Sequence, residues 1–257
     1  MIVGSGLIAR AFIQSGANAL AGTCFYAAGV SNSGCKDESE YLRERARLDA
    51  AMAACPPGDR FVYFSTCSIE DPAMRESEYV RHKIRMENLV RERAGHLILR
   101  LPQVAGRTPN PHTLLNYLHA RITHSEHFQV WSRAMRNIID AADVVKIAMD
   151  LIVTENASAA TINVANPRST MMPDIVKAME RVLGIRAVFD ILDKDSGAPI
   201  DTSRIAAAIE RCGIGFGDAY LDGILEKYYG ESDNEVDFSL LAIPTFATGF
   251  RQPGWQL

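Results

Sequence analysis

The first ten residues, Met1-Ile2-Val3-Gly4-Ser5-Gly6-Leu7-Ile8-Ala9-Arg10, decide how the rest of the chain is read. A three-residue β-rich stub runs into Gly4-x-Gly6-x-x-Ala9, and Leu7 to Gln14 continues as a helical pattern. In a strand–turn–helix unit the first glycine permits a tight turn, and the second lets backbone approach a pyrophosphate. The small third residue allows close helix–strand packing, while the helix N-terminus faces the anion. A Gly-rich turn before any helix gives the same letters, so the motif needs support from elsewhere in the chain.

Beyond residue 14, short β-rich runs alternate with helical patterns, which predicts an α/β protein with a parallel sheet. Strands are expected at Thr23–Ala27, Phe61–Phe64, His96–Leu101, Phe128–Trp131, Thr161–Val164 and Val188–Leu192. Helices are expected at Glu38–Cys55, Glu78–Arg93, Leu114–Ile122, Ala142–Val153, Pro173–Leu183 and Leu221–Tyr229, with an extended tail over Ile243–Leu257. The chain has 257 residues, 47% of them hydrophobic and 23% charged, enough to bury a full core without staples. A net charge of −4, with no basic block among 27 Lys and Arg, argues against nucleic acid as a partner. Five cysteines without a CxxC pair fit a reducing cytoplasm better than a disulfide framework or a zinc ribbon.

Ala11 to Cys35 carries no charge, and Ala19-Leu20-Ala21 mimics a leader cleavage site. Four glycines together with Gln14, Ser15, Asn18, Ser31 and Asn32 make the stretch too broken for a membrane span or leader, so it is expected to lie in the protein interior. His112, His119, His124 and His127 are spaced so that no three share a helical face, and no metal site is expected.

Tyr79-x-x-x-Lys83 lies on an expected helix, where positions i and i+4 share a face. An ammonium one turn from a phenol favours phenolate and makes the tyrosine a candidate acid/base near neutral pH. Upstream of it a strand ends in Ser65-Thr66-Cys67-Ser68, placing hydroxyls where open α/β sheets bind substrate. Within that pair His82 is expected on the helix surface, and Cys67 reads as a small buried residue at a strand end rather than a nucleophile.

The order Gly-x-Gly-x-x-Ala, a strand ending in Ser-Thr, then Tyr-x-x-x-Lys resembles the extended short-chain dehydrogenase/reductase superfamily, in its NAD-dependent epimerase/dehydratase branch that modifies nucleotide sugars. Phe25-Tyr26-Ala27-Ala28-Gly29-Val30-Ser31 is similar to that family's fourth strand and Ala-Ala turn. Phe61 to Ser68 resembles its fifth strand, and Arg100-Leu101-Pro102-Gln103-Val104-Ala105-Gly106 its Arg-x-x-Asn-Val-x-Gly strand end. Arg136-Asn137-Ile138-Ile139-Asp140 with Asp143-Val144-Val145 resembles the Arg-Asp-Phe-Ile-His-x-x-Asp-Val segment. Ile162-Asn163-Val164-Ala165 followed by Pro173 to Gly184 resembles the Tyr-Asn-Val-Gly strand and its helix, so the likeness covers most of residues 1–185.

The resemblance implies a Rossmann-like core over 1–106 and 137–166 and a small substrate-binding part over 107–136 and 167–257. It implies Thr66, Tyr79 and Lys83 as catalytic residues, with Lys83 also a ribose contact. The cofactor, NAD or NADP, would be met by Gly4, Gly6, Leu7, Ile8, Ala9, Arg10, Ala27, Ala28, Tyr79, Lys83 and Pro102. Ser68, Gln103 and Arg136 would meet a nucleotide-sugar substrate, Arg136 at its diphosphate. The implied activity is 4-keto reduction or epimerisation, with surface-polysaccharide synthesis as its setting and a homodimer through helices 38–55 and 78–93.

Departures from the pattern are specific. Only Gly16 to Gly22 separate Ser15 from the run at Thr23, so the family's second and third strands have no room. No acidic residue lies between Ala9 and Asp37 to hold the adenosine ribose, and Arg10 is the one candidate for a 2′-phosphate. Gln103 replaces the usual Asn, Ile69-Glu70-Asp71 replaces Val-Tyr-Gly, and Cys67-Ser68 stand where dehydratases carry Asp-Glu. The shortened adenosine side keeps a second reading open: a degenerate relative that senses a dinucleotide or sugar nucleotide without turnover.

Overall fold

The computed structural model describes residues 1–17 and 20–230; the expected tail over 243–257 lies outside them. Five strands form one parallel sheet: β1 (Ile2–Val3), β2 (Thr23–Tyr26), β3 (Arg60–Thr66), β4 (His96–Leu101) and β8 (Ala160–Asn163), side by side in that order. The second and third strands of the wider pattern are absent among the described residues, and β1 forms the sheet edge.

Alternation along the strands sends side chains to two faces. Phe25, Val62, Phe64, Leu97 and Leu99 meet α1 (Leu7–Gln14) and α5 (Ala141–Val153) on one face. Cys24, Tyr26, Phe61, Tyr63 and Ile98 meet α2 (Glu38–Ala54) and α3 (Glu78–Arg91) on the other. On the first face Phe12 of α1 sits 4.9 Å from Phe25 and 5.1 Å from Phe64 between ring centroids. Such pairs contribute about 0.5–1.5 kcal/mol each beyond their buried area.

Gly4 ends β1 with φ +131°, a conformation that disfavours any side chain. A Cβ there would lie 2.4 Å from the Ala27 carbonyl oxygen, so the glycine lets the first turn close against the end of β2.

After β4 the chain enters a two-stranded parallel ribbon, β5 (Gln103–Ala105) with β7 (Ile138–Asp140). Between them lie α4 (Leu114–Thr123) and β6 (Phe128–Arg136). The expected strand at 128–131 extends to Arg136 because it pairs along its length with β10 (Phe189–Ser196) and ends against β9 (Thr170–Met171). With α6 (Met172–Leu183) and α8 (Tyr220–Tyr229) these elements enclose a second core around Leu118, Val130, Ile175, Met179 and Leu225. Beyond residue 167, Ile205 and Ala208, at and within α7 (Ala206–Arg211), pack into the first core beside α5. No helix among the described residues is long and apolar enough to cross a membrane.

Candidate functional site

The carboxyl ends of the strands open into a cleft of about 390 Å³ between the two cores. Of the residues picked out in the sequence, Gly6, Leu7, Ile8, Ala27, Thr66, Ser68, Tyr79, Lys83, Pro102, Gln103 and Arg136 line it. Gly4, Ala9, Arg10 and Ala28 do not. Gly4 shapes the turn, Ala9 lies on the buried face of α1, and the Arg10 guanidinium hydrogen-bonds the carbonyls of Ser5 and Arg107.

Gly6 is the N-cap of α1, with no capping side chain and no acidic residue in the first turn. A Cβ on Gly6 would meet nothing within 4 Å, so backbone is open to the cleft where the helix presents its free N–H groups. These features fit a dinucleotide's pyrophosphate, and Pro102 and Thr66 line the same cleft. The fit is poorer on the adenosine side, where the sheet ends at β1 and no further strand among the described residues brings a ribose-binding carboxylate.

Thr66 closes β3, where its hydroxyl accepts from the Ser68 N–H at 3.1 Å and pairs with the Ser68 hydroxyl at 3.1 Å. Tyr79 stands in the first turn of α3, which Ser77 caps by accepting from the Val80 N–H. Thr66 and Tyr79 stand close across the gap between strand and helix, both lining the cleft. Burial pushes the phenol above its ordinary value; the neighbouring Thr66 hydroxyl pulls it down and the Glu44 charge adds to the rise. Lys83, which was expected to depress this group, has its ammonium engaged elsewhere.

Its partner is Glu44 on α2, a residue the sequence reading missed. Lys83 Nζ donates to Glu44 Oε1 at 3.0 Å and Oε2 at 3.2 Å, and to the Tyr63 hydroxyl at 3.4 Å. Burial resists ionisation of Glu44, but the Lys83 charge and the contacts from His82 and the Val30 N–H outweigh it and hold its pKa down to about 2. His82 is also a correction. It is buried, stacked on Tyr41 with centroids 4.6 Å apart, and its Nε2 lies 3.0 Å from Glu44 Oε2, out of line for a good hydrogen bond. Burial raises the Cys67 thiol, which sits against the Arg100 carbonyl.

Across the cleft Arg136 is positioned by the Met135 carbonyl at 2.7 Å and the Ser196 hydroxyl at 2.8 Å. Beside it Asp71 accepts from the Gly197 N–H at 3.1 Å, tying the loop after β3 to the end of β10. Arg100 is turned away, in a bidentate pair with buried Glu87 and a contact to Glu70. No cluster of three or more potential metal-ligating side chains occurs among the described residues.

No family model matches the chain, and no curated protein matches it by sequence. Solved structures do resemble it. MoeE5 in complex with UDP-glucose and NAD superposes with a TM-score of 0.68 at 16% identity, over 87% of this chain and 95% of that one. UDP-N-acetylglucosamine 4-epimerase from Bacillus cereus gives 0.68 at 14% identity, over 88% and 93%. UDP-glucuronic acid 4-epimerase from Bacillus cereus, in complex with UDP-glucuronic acid and NAD, gives 0.63 at 18% identity, over 88% and 90%. At these identities the likeness establishes the fold.

Proposed function

With the extended short-chain dehydrogenase/reductase fold, trimmed at its adenosine edge, as the starting point, we propose that this chain is an NAD- or NADP-dependent oxidoreductase or epimerase acting on a nucleotide-linked sugar. The observation that carries this reading is the meeting of three features in one cleft: the Thr66–Tyr79 pair, the uncapped start of α1, and Arg136 opposite. A bound nicotinamide dinucleotide supplies the hydride acceptor or donor. Gly6, Leu7 and Ile8 hold its pyrophosphate, Ala27 and Pro102 border its ribose and ring, and Lys83 stands below. Arg136 meets the diphosphate of the sugar nucleotide, while Gln103 and Ser68 offer hydrogen bonds to the sugar. Thr66 fixes the angle of the reacting oxygen, and Tyr79 exchanges a proton with it. Surface-polysaccharide synthesis in the cytoplasm is the setting that suits such a substrate.

Native mass spectrometry of the purified full chain with NAD, NADP and UDP-linked sugars tests this. One dinucleotide per chain and saturable sugar-nucleotide binding are expected; absence of both would sink the reading.

A second reading has its own support. The sheet ends at β1 and Lys83 is tied to Glu44, features that binding without turnover would tolerate. Binding of both ligands with no change in the 340 nm absorbance of the dinucleotide (the reduced nicotinamide band) and no sugar interconversion, followed by chromatography, would favour this sensor.

The proposal extends to a homodimer through α2 and α3, which carry the exposed apolar residues Leu42 and Ile84 on otherwise charged outer faces. Sedimentation velocity at high micromolar concentration is expected to show a dimer; a single monomer boundary removes this part.

A further inference from the structure

The ladder between β6 and β10 runs to Ala134 and Ser196 and stops there. The next backbone donor along the chain, the Gly197 N–H, goes to Asp71 Oδ2 at 3.1 Å, 126 residues away in sequence. Both oxygens of that carboxylate are committed to backbone, since Oδ1 accepts from the Ala73 N–H at 2.9 Å. Gly197 has φ +90°, and a Cβ there would collide with the Met135 carbonyl oxygen, so the chain presses directly on the backbone of the neighbouring strand. That same Met135 carbonyl accepts from Arg136 Nη1, which also reaches the Ser196 hydroxyl. Further along, the Asp201 carbonyl accepts from Asn163 Nδ2 at 3.1 Å, and the same amide reaches Glu70 at 3.2 Å. Two adjacent acidic residues therefore fasten segment 196–201 to the first core, Asp71 directly and Glu70 through Asn163. Ser196, Gly197, Ala198 and Ile200 of this segment line the cleft.

We propose that Asp71 is a positioning residue for the diphosphate of the ligand: it clasps segment 196–201 to the loop after β3, and through Ser196 it aims the Arg136 guanidinium into the cleft. The proposal rests on the nucleotide-sugar reading above and deepens it.

A guanidinium recognises phosphate through directed N–H groups, so its orientation counts as well as its charge. Arg136 is the last residue of β6, where its backbone pairs with Thr170 of β9. Its head depends on the Met135 carbonyl and on Ser196, the last residue of β10 to pair with β6. A hydroxyl at the end of a ladder holds its place only if the chain beyond it is anchored. Asp71 supplies that anchor one residue on. A side chain ordered in advance loses less entropy when the ligand arrives. The residue type is specific to this chain, since the resembled pattern has glycine at position 71, with no side chain to accept a hydrogen bond.

The carboxylate also acts through its charge, with the opposite sign. Its field reaches Arg136 and works against a phosphate bound there. Removing Asp71 therefore weakens diphosphate binding if the clasp dominates and strengthens it if the charge does.

The test is isothermal titration calorimetry of the full chain with UDP and, separately, with NAD. Asp71→Ala is expected to weaken UDP binding by about threefold to tenfold and to leave NAD affinity unchanged. Gly197→Ala breaks the clasp from its other side without altering charge and is expected to do the same, so either variant that folds carries the test. In an Arg136→Gln background, Asp71→Ala is expected to have no further effect on UDP, because the group it aims is gone. Four outcomes overturn the proposal: UDP affinity unchanged in the variants, tighter UDP binding in Asp71→Ala, an equal loss for NAD, or an undiminished effect in the Arg136→Gln background. Failure of the underlying reading looks different. No loss in Arg136→Gln alone would remove Arg136 as the diphosphate contact, and no UDP binding by the wild type would sink the nucleotide-sugar reading itself.

Discussion

Tyr79→Phe is expected to lower turnover by about 10²–10⁴, the usual effect of removing a positioned acid/base, on the nucleotide sugar that the wild type converts. The phenol is buried close to the Thr66 hydroxyl at the carboxyl end of β3, and both residues line the cleft that a reacting oxygen would enter. Phenylalanine keeps the ring packed between Thr66 and Lys83 and removes only the exchangeable proton. Sugar-nucleotide affinity, which the proposal assigns to Arg136 and Gln103, should change little. Steady-state kinetics paired with equilibrium binding separates the two. Full turnover in the variant would remove Tyr79 from the chemistry.

The second large effect is on stability. Glu44→Ala removes the one carboxylate that the Lys83 ammonium, the Tyr63 hydroxyl and the Val30 N–H all use. Breaking a buried ion pair from one side costs about 3–5 kcal/mol, because the remaining charge stays buried without compensation. That is a large share of the 5–15 kcal/mol that holds a typical domain, and urea denaturation at neutral pH would measure it. Replacing both partners, Glu44→Leu with Lys83→Met, is expected to cost less than the single change, since no charge is then stranded. The pair also gives the protein an acid limit. A carboxyl held down to about 2, against about 4.3 when unfolded, contributes stability that is complete above the unfolded value. That stability, of order 3 kcal/mol, is lost as pH falls toward 2. A denaturation midpoint that does not change between about pH 5 and about pH 2.5 would contradict this.

Much of this site could be read from letters because its signals are local. Gly4-x-Gly6-x-x-Ala9 sits in one strand–turn–helix unit, and Tyr79 and Lys83 share one helical face. The missing strands were visible as a length that could not hold them, and the sheet confirms it. Glu44 was not visible, because Arg43, Arg45 and Arg47 around it make α2 look like a solvated helix. Its phase held the clue. Tyr41, Glu44, Leu48 and Ala51 fall on one inward stripe, with a carboxylate among three apolar residues. His82 and Glu87 sit in the same way on the buried stripe of α3, with Tyr79, Met86 and Val90. Short elements such as the β5–β7 ribbon were missed for another reason: three residues carry no periodicity, and their pairing is decided by distant partners.

The distribution of helices over the two faces fixes the handedness of the chain path. All strands of the main sheet are parallel and each step from β1 to β4 goes to the next position in the same direction. The links through α2 and α3 cross one face, whereas the link through α1 crosses the other, so its hand must be opposite to theirs. Crossovers between parallel strands are right-handed in about 98% of cases; if α2 and α3 follow that rule, β1–α1–β2 is a left-handed loop. Strand twist does not favour such a path, so it must be held by what α1 touches: Phe12 against Phe25 and Phe64, and α5 beside it. The glycine turn that begins the cleft is thus carried on a crossover whose hand depends on side-chain packing at its far end.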